Sequence, residues 1–382
     1  MRPKSIPFNI PFVGGNEQHF LEEVFKKQAF CGDGFYTQSC EKQLQDFTGT
    51  QKVLLTSSCT HALEMCALLL DIQTGDEVIM PSFNFVSAAN AFVLRGAKII
   101  FVDIDPNTMN IAPDQITSAI SDKTKAILVV HYGGVACDMD VIMNIAGQHQ
   151  IAVIEDAAHA IGAFHNEKHL GTIGDFGTLS FHDTKNIHCG EGGALLINNP
   201  KYIERATVLR EKGTNRAAFL NGKIDKYTWV DLGSSYLMSE LSAGFLFAQL
   251  QKLDEVTKKR LELWRFYQKE LSILEVEGKL SLAKLPSFSV GNGHVFYLKC
   301  KTENERDLMI SYLDSRNIKA YFHYVPLHSS RAGQIFGCFY GKDTFTSKGS
   351  DCLLRLPLYF DMDLKTVIKI TDSIKEFYNG IS

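Results

Sequence analysis

Ala126-Ile127-Leu128-Val129-Val130 is five apolar residues in a row, with no polar residue between them. A strand with one wet face alternates apolar and polar positions. A run that is apolar on both faces belongs to a strand covered on both sides, as in a parallel sheet sandwiched by helices. Working outward, similar runs recur at Lys98-Ile99-Ile100-Phe101-Val102, Glu77-Val78-Ile79-Met80 and Lys52-Val53-Leu54-Leu55, and on the other side at Ile151-Ala152-Val153-Ile154. Helical patterns lie between them, the clearest placing Ala62, Leu63, Cys66, Ala67 and Leu70 on one face. From about residue 50 to residue 200 this alternation predicts an α/β domain, with helices on both sides of a mostly parallel sheet.

After Gln249 the pattern changes. A charged amphipathic helix carrying Leu253, Val256, Leu261, Trp264, Tyr267 and Leu271 leads into shorter strands at 295–298 and 320–324, with helices expected at 303–315 and 364–378. The expected division is therefore a large domain over residues 1–250 and a smaller α+β domain over 251–382.

A formal net charge of -4 gives no global basic field, so neither nucleic acid nor an anionic membrane is an expected partner. The apolar runs stop short of the ~20 residues needed to span a bilayer. The stretch from Met1 to Phe12 has no continuous hydrophobic core and no small-residue cleavage site, which predicts a cytoplasmic protein. The nine cysteines are scattered and none forms a C-x-x-C pair, so free thiols are expected rather than a disulfide framework or a structural zinc site.

In a parallel α/β sheet, ligands bind beyond the carboxyl ends of the strands, so the residues just after each strand carry the chemistry. Thr56-Ser57-Ser58-Cys59-Thr60 follows the first strand. Hydroxyls at a helix start suit a phosphate, and they equally suit an ordinary N-cap by Ser58 or Thr60. Glu155 and Asp156 end another strand, where an acid could orient a base, bind a metal, pair with a cationic ring nitrogen or merely cap a turn. Lys185 lies in Ser180-Phe181-His182-Asp183-Thr184-Lys185-Asn186, ahead of the glycine cluster Gly190-Glu191-Gly192-Gly193. A desolvated lysine there loses its proton readily and can condense with a carbonyl; a loop lysine can also be a plain solvated charge. His182, Asp183 and His188 match no standard metal-ligand spacing, and no metal is expected. Dinucleotide, P-loop and serine-nucleophile motifs are all absent.

Taken in order, Gly75-Asp76-Glu77-Val78-Ile79-Met80-Pro81-Ser82-Phe83, Glu155-Asp156-Ala157-Ala158-His159 and Ser180 to Asn186 resemble the motifs of the DegT/DnrJ/EryC1/StrS sugar aminotransferases, and the likeness runs from Gly32-Asp33-Gly34 to Arg355-Leu356-Pro357-Leu358. The resemblance implies a fold-type I enzyme dependent on pyridoxal 5'-phosphate, with Lys185 holding the cofactor as a Schiff base. It implies Asp156 on the ring nitrogen, Phe85 stacked on the ring, His159 near the ring hydroxyl, and Cys59, Thr60 and Ser180 around the phosphate. Ser235 stands where many members carry an asparagine that reaches the cofactor phosphate of the neighbouring subunit, so a homodimer with shared sites is implied. His323 and Tyr324 are candidate substrate contacts or plain strand aromatics, and His328 and the Gly32-Asp33-Gly34 turn are open in the same way. Phe30-Cys31-Gly32-Asp33-Gly34, His131-Tyr132-Gly133-Gly134-Val135-Ala136-Cys137 and Glu211-Lys212-Gly213-Thr214-Asn215-Arg216 resemble the subgroup that moves the amino group of L-glutamate to C4 of dTDP-4-dehydro-6-deoxyglucose. The product of that subgroup is dTDP-4-amino-4,6-dideoxygalactose, used for surface polysaccharide. The rival expectations are another nucleotide-sugar aminotransferase, giving the gluco epimer or acting at C3, and a non-catalytic protein that binds the cofactor.

Overall fold

The apolar runs become the strands of one sheet. In the computed structural model, which describes residues 5–380, these are β1 (Lys52–Thr56), β2 (Glu77–Pro81), β3 (Lys98–Val102), β4 (Thr124–Val130) and β5 (Ala152–Asp156). After a small hairpin, β6 (Phe164–His165) and β7 (Lys168–His169), come β8 (Phe176–Ser180) and β9 (Gly193–Ile197). The rest of the chain adds β10 (Ser281–Leu282), β11 (Ser289–Val290), β12 (Phe296–Lys299), β13 (Gly337–Phe339) and β14 (Leu353–Leu356). The large sheet has eight strands in the order β1-β9-β8-β5-β4-β2-β3-β13, and only β9 runs antiparallel to its neighbours.

Both faces of this sheet are covered. Leu54, Val78, Met80, Leu128 and Ile154 face one apolar cluster, while Leu55, Ile79, Ile127, Val129 and Val153 face the other side, all of them buried. Burial on both sides is why these strands show no polar alternation. Each such side chain contributes about 1.5–3 kcal/mol. Helix α1 (Glu17–Lys27) and α2 (Phe35–Thr48) precede the first strand; α3 (Cys59–Leu69) follows β1 and α4 (Val86–Val93) follows β2.

The helices Leu253–Val276, Glu303–Ser315 and Leu364–Gly380 pack with the small sheet β10-β12-β14 around Tyr267, Phe296, Leu298, Met309 and Ile374. Phe83 and Tyr132, just beyond β2 and β4, belong to that same cluster, so the ends of the large sheet and the C-terminal core pack as one. The C-terminal segment also returns β13 to the edge of the large sheet, parallel to β3. Residues 320–324 do not form the expected strand. Only Tyr321 pairs, through a single bridge to Arg355 on β14. Tyr321 and Phe322 are exposed, while the next two residues turn inward: the Tyr324 ring centroid lies 5.4 Å from that of Phe83, and His323 meets Tyr132.

Candidate active site

Beyond the carboxyl ends of β1, β4, β5 and β8 the chain encloses a cavity of about 530 Å³. Cys59, Thr60, Phe85, Asp156, His159, Ser180, Lys185, His323 and Tyr324 all line it. Ser235 does not; it is exposed, in a segment that bridges to Glu211.

The helix start is built by β1 delivering Ser58 in extended conformation, where its side chain accepts the His61 N–H at 3.1 Å as the N-cap. Thr60 is not the cap. Its hydroxyl bonds Ser87 Oγ at 2.9 Å on the cavity wall. The backbone at Cys59 is closely packed: a Cβ on Gly193 would come within 2.3 Å of the Cys59 nitrogen, so glycine is required there. The first turn of α3 leaves N–H groups without intrahelical acceptors, and its dipole favours an anion.

Strand alternation separates the two acids that end β5. Asp156 faces the cavity and accepts the Ala158 N–H at 3.1 Å. Burial raises its pKa, against the pull of that N–H and of Lys185. Glu155 points the other way into the protein. It accepts Gly171, Ile173 and Gly174 N–H groups at 2.6–2.8 Å and pairs with His131 at 2.9 Å. Burial alone would raise its pKa, but these partners hold the carboxyl below its usual range.

Lys185 sits in the turn after β8, where its backbone N–H donates to the His182 carbonyl at 2.9 Å. Its side chain reaches solvent only in part and is enclosed by protein atoms. That enclosure lowers the amine to about 8, with Cys59 and Asp156 opposing the shift and Arg355 adding to it. Next to it, Asn186 Oδ1 bonds His294 Nδ1 at 3.0 Å, and the His294 ring lies 4.4 Å from that of His159. His159 Nδ1 accepts the Gly133 N–H at 3.3 Å, which places the proton of the neutral ring on Nε2. Burial, then the charge of Lys185, pushes both His159 and His294 well down, so they are neutral.

Phe85 is 54% exposed, and its ring forms part of the cavity rim. Beside it, Asn84 is buried and lines the cavity, and its Nδ2 has no hydrogen-bond partner. From the C-terminal core, His323 Nδ1 meets the Tyr132 hydroxyl at 3.0 Å, and burial holds the His323 ring neutral. Arg355 enters from β14. Sequence reading assigned no role to Asn84, His294 or Arg355. The signal available for Arg355 was a lone cation inside the apolar run Leu353-Leu354-Arg355-Leu356.

Two other candidates lie elsewhere. His328 holds its loop through Ser82 Oγ at 2.7 Å and Asp343 at 3.3 Å. In the Gly32-Asp33-Gly34 turn Asp33 pairs with Arg210, and Glu240 caps α2 through the Tyr36 and Thr37 N–H groups at 2.8 and 2.9 Å. His182 at the cavity wall bonds Asp183 and Thr184, and among the described residues no group of three metal-ligating side chains converges.

The cavity thus offers an amine that burial lowers to about 8, a carboxylate suited to a cationic nitrogen, an open aromatic face and an anion-favouring helix start. A flat, phosphorylated heterocycle bearing a carbonyl fits every one of these, and pyridoxal phosphate is such a molecule.

The profile of the DegT/DnrJ/EryC1/StrS aminotransferase family matches residues 12–375. An uncharacterized protein of Methanocaldococcus jannaschii is 32% identical over 393 residues, covering 98% of each chain. The aminotransferase TlmJ of Streptoalloteichus hindustanus superposes with a TM-score of 0.91 at 27% identity, covering 99% of this chain and 100% of its own. Spr1654 of Streptococcus pneumoniae, solved in PLP and PMP forms, shares the fold with a TM-score of 0.91 at 22% identity, covering 99% of this chain and 100% of its own. With a fold-type I architecture, a cavity that fits pyridoxal phosphate and a match over nearly its whole length, this chain belongs to the DegT/DnrJ/EryC1/StrS family and is a pyridoxal-phosphate-dependent sugar aminotransferase.

Proposed function

We propose that the enzyme transfers the amino group of L-glutamate to C4 of dTDP-4-dehydro-6-deoxyglucose, giving dTDP-4-amino-4,6-dideoxygalactose for surface polysaccharide, and that it works as a cytoplasmic homodimer. The observation that carries amino transfer is the Lys185 amine, lowered to about 8 in a cavity it shares with Asp156. The choice of sugar and nucleotide rests on the subgroup likeness of the stretches 30–34, 131–137 and 211–216. Tyr132, in the second of them, is hydrogen-bonded to His323 at the cavity.

Bound here, pyridoxal phosphate supplies a carbonyl that takes up the amino group and a ring that withdraws electrons from the neighbouring carbon. In this reading Lys185 carries the cofactor and, once displaced, takes the proton from the α-carbon of glutamate and later delivers one to sugar C4. Asp156 keeps the ring nitrogen protonated, Phe85 covers the ring face, and neutral His159 lies at the ring hydroxyl. Cys59, Thr60 and Ser180 receive the phosphate at the start of α3. His323 and Tyr324 contact the substrate. Ser235, exposed and outside its own cavity, serves the cofactor phosphate of the partner subunit. The division into 1–250 and 251–382 belongs to the same reading, with residues 1–4 and 381–382 of those spans outside the described structure.

Absorption spectra of the purified enzyme before and after L-glutamate test the first half of this reading. Bleaching of the yellow band is expected, and a band that persists contradicts glutamate as donor. Adding dTDP-4-dehydro-6-deoxyglucose to the bleached enzyme should then restore the band. NMR of the product separates the galacto epimer from the gluco epimer or a C3 amine.

A further inference from the structure

His294 lines the cavity that holds Lys185 and is otherwise buried. Its backbone is fixed: Arg260 Nη2 donates to the His294 carbonyl at 2.7 Å, and Asn292 Oδ1 accepts the His294 N–H at 3.1 Å. Its ring is held by Asn186, whose amide has one consistent orientation. Nδ2 of Asn186 donates to the Asn292 carbonyl at 3.1 Å, so Oδ1 is the atom 3.0 Å from His294 Nδ1. An oxygen there requires Nδ1 to carry the proton. The ring is neutral, which leaves a lone pair on Nε2. Among the described residues Nε2 has no hydrogen-bond partner, and protein atoms do not seal it in. His159, with its ring centroid 4.4 Å away, has the opposite tautomer and carries its proton on Nε2. The two imidazoles therefore present one donor and one acceptor side by side on the cavity wall.

We propose that His294 recognises the acceptor sugar, its Nε2 taking a hydrogen bond from a ring hydroxyl of the keto-sugar, a role that rests on the amino-transfer reading above. A lone pair repels anions, so neither the carboxylates of glutamate nor a diphosphate suits this position. The amines of glutamate and of Lys185 have N–H groups to donate, but a neutral amine that condenses with a carbonyl loses both hydrogens as water. The hydroxyls of a sugar remain through the whole reaction. In the reading above the ring hydroxyl of the cofactor already lies at His159, which leaves the neighbouring acceptor for the substrate. That acceptor is also inexpensive to align, because the His294 backbone and Nδ1 are held before anything binds.

The two half-reactions test this separately. Holoenzyme bleached with L-glutamate and freed of it is titrated with dTDP-4-dehydro-6-deoxyglucose, and return of the yellow band gives a half-saturating sugar concentration. His294→Asn keeps an N–H donor at the Nδ1 position and removes the acceptor. It should raise the half-saturating sugar concentration about 3- to 10-fold, with the glutamate concentration for half-bleaching unchanged. His294→Gln, whose amide oxygen reaches the Nε2 position, should recover part of that loss. Unchanged sugar half-saturation in His294→Asn, an equal rise for glutamate, or no recovery in His294→Gln overturns the assignment. If His294→Asn does not fold, His294→Phe is read in the same two arms: a rise for the sugar alone supports the assignment, and any other pattern overturns it. A wild-type enzyme whose band this sugar does not restore refutes the sugar named above, which is a separate outcome, and the 3-keto isomer then takes its place in the titration.

Discussion

Lys185 is where burial becomes reactivity. A solvated lysine is almost wholly protonated at neutral pH; here the amine is lowered to about 8. Cofactor-free enzyme should therefore capture pyridoxal phosphate faster as pH rises from 6 to 8, with little further gain above. Below 8 the rate should fall about tenfold per pH unit, in proportion to the neutral amine. Stopped-flow absorbance across that range checks it, and a flat profile contradicts the shift. The stability linkage has the matching sign. Between about 8 and the ordinary lysine value the unfolded chain binds more protons, so the cofactor-free protein gains stability as pH rises through that window. Lys185→Ala should abolish amino transfer. Asp156→Asn, which leaves the ring nitrogen without its carboxylate, should lower the rate on the order of 10²-fold or more; glutamate-dependent turnover measures both. That Lys185 and Asp156 line one cavity was legible because their ordered motifs resemble a family. The sequence alone left the two acids ending β5 equivalent. The period of two along a strand separates them, placing Asp156 in the cavity and Glu155 among backbone N–H groups.

At the scale of elements, α3 shows one feature serving two ends. Ser58 caps it, and the turn it caps is the one that faces the cavity. Both readings of the hydroxyl cluster are thus compatible, since a capped first turn is what holds an anion site in shape. Ser58→Ala should cost about 1 kcal/mol in denaturant unfolding of the cofactor-free protein. It should also weaken cofactor binding in equilibrium dialysis, because the frayed turn no longer aims its N–H groups. The strands of the large sheet were legible as unbroken apolar runs. The segment 320–324 was not, because Tyr, Phe and His enrich both sheet strands and cavity walls, and a single sequence does not distinguish the two. Its bridge at Tyr321 is what remains of the expected strand.

For the whole molecule, what sequence could not reveal is convergence. Asn84, His294 and Arg355 come from three distant parts of the chain, and only packing of the C-terminal core onto the ends of β2 and β4 brings them to one cavity. None lies in a stretch that marks itself as catalytic. The proposed dimer poses the same question one level up. Ser235 is exposed and lies outside the cavity of its own chain, in a segment tied to Glu211 and close to the start of α3 through the Ser57 N–H bond to the Tyr236 carbonyl at 2.9 Å. If it serves the partner's phosphate, Ser235→Ala should weaken cofactor binding about 10- to 100-fold, the value of one hydrogen bond to a charged group, with unfolding unchanged. Mixing that variant with Lys185→Ala chains makes the prediction specific to shared sites. A mixed dimer contains one cavity with Lys185 from one chain and Ser235 from the other, so a tight cofactor-binding fraction should return after subunit exchange. Absence of that fraction, in a mixture shown by sedimentation to have formed dimers, would place Ser235 outside the site altogether.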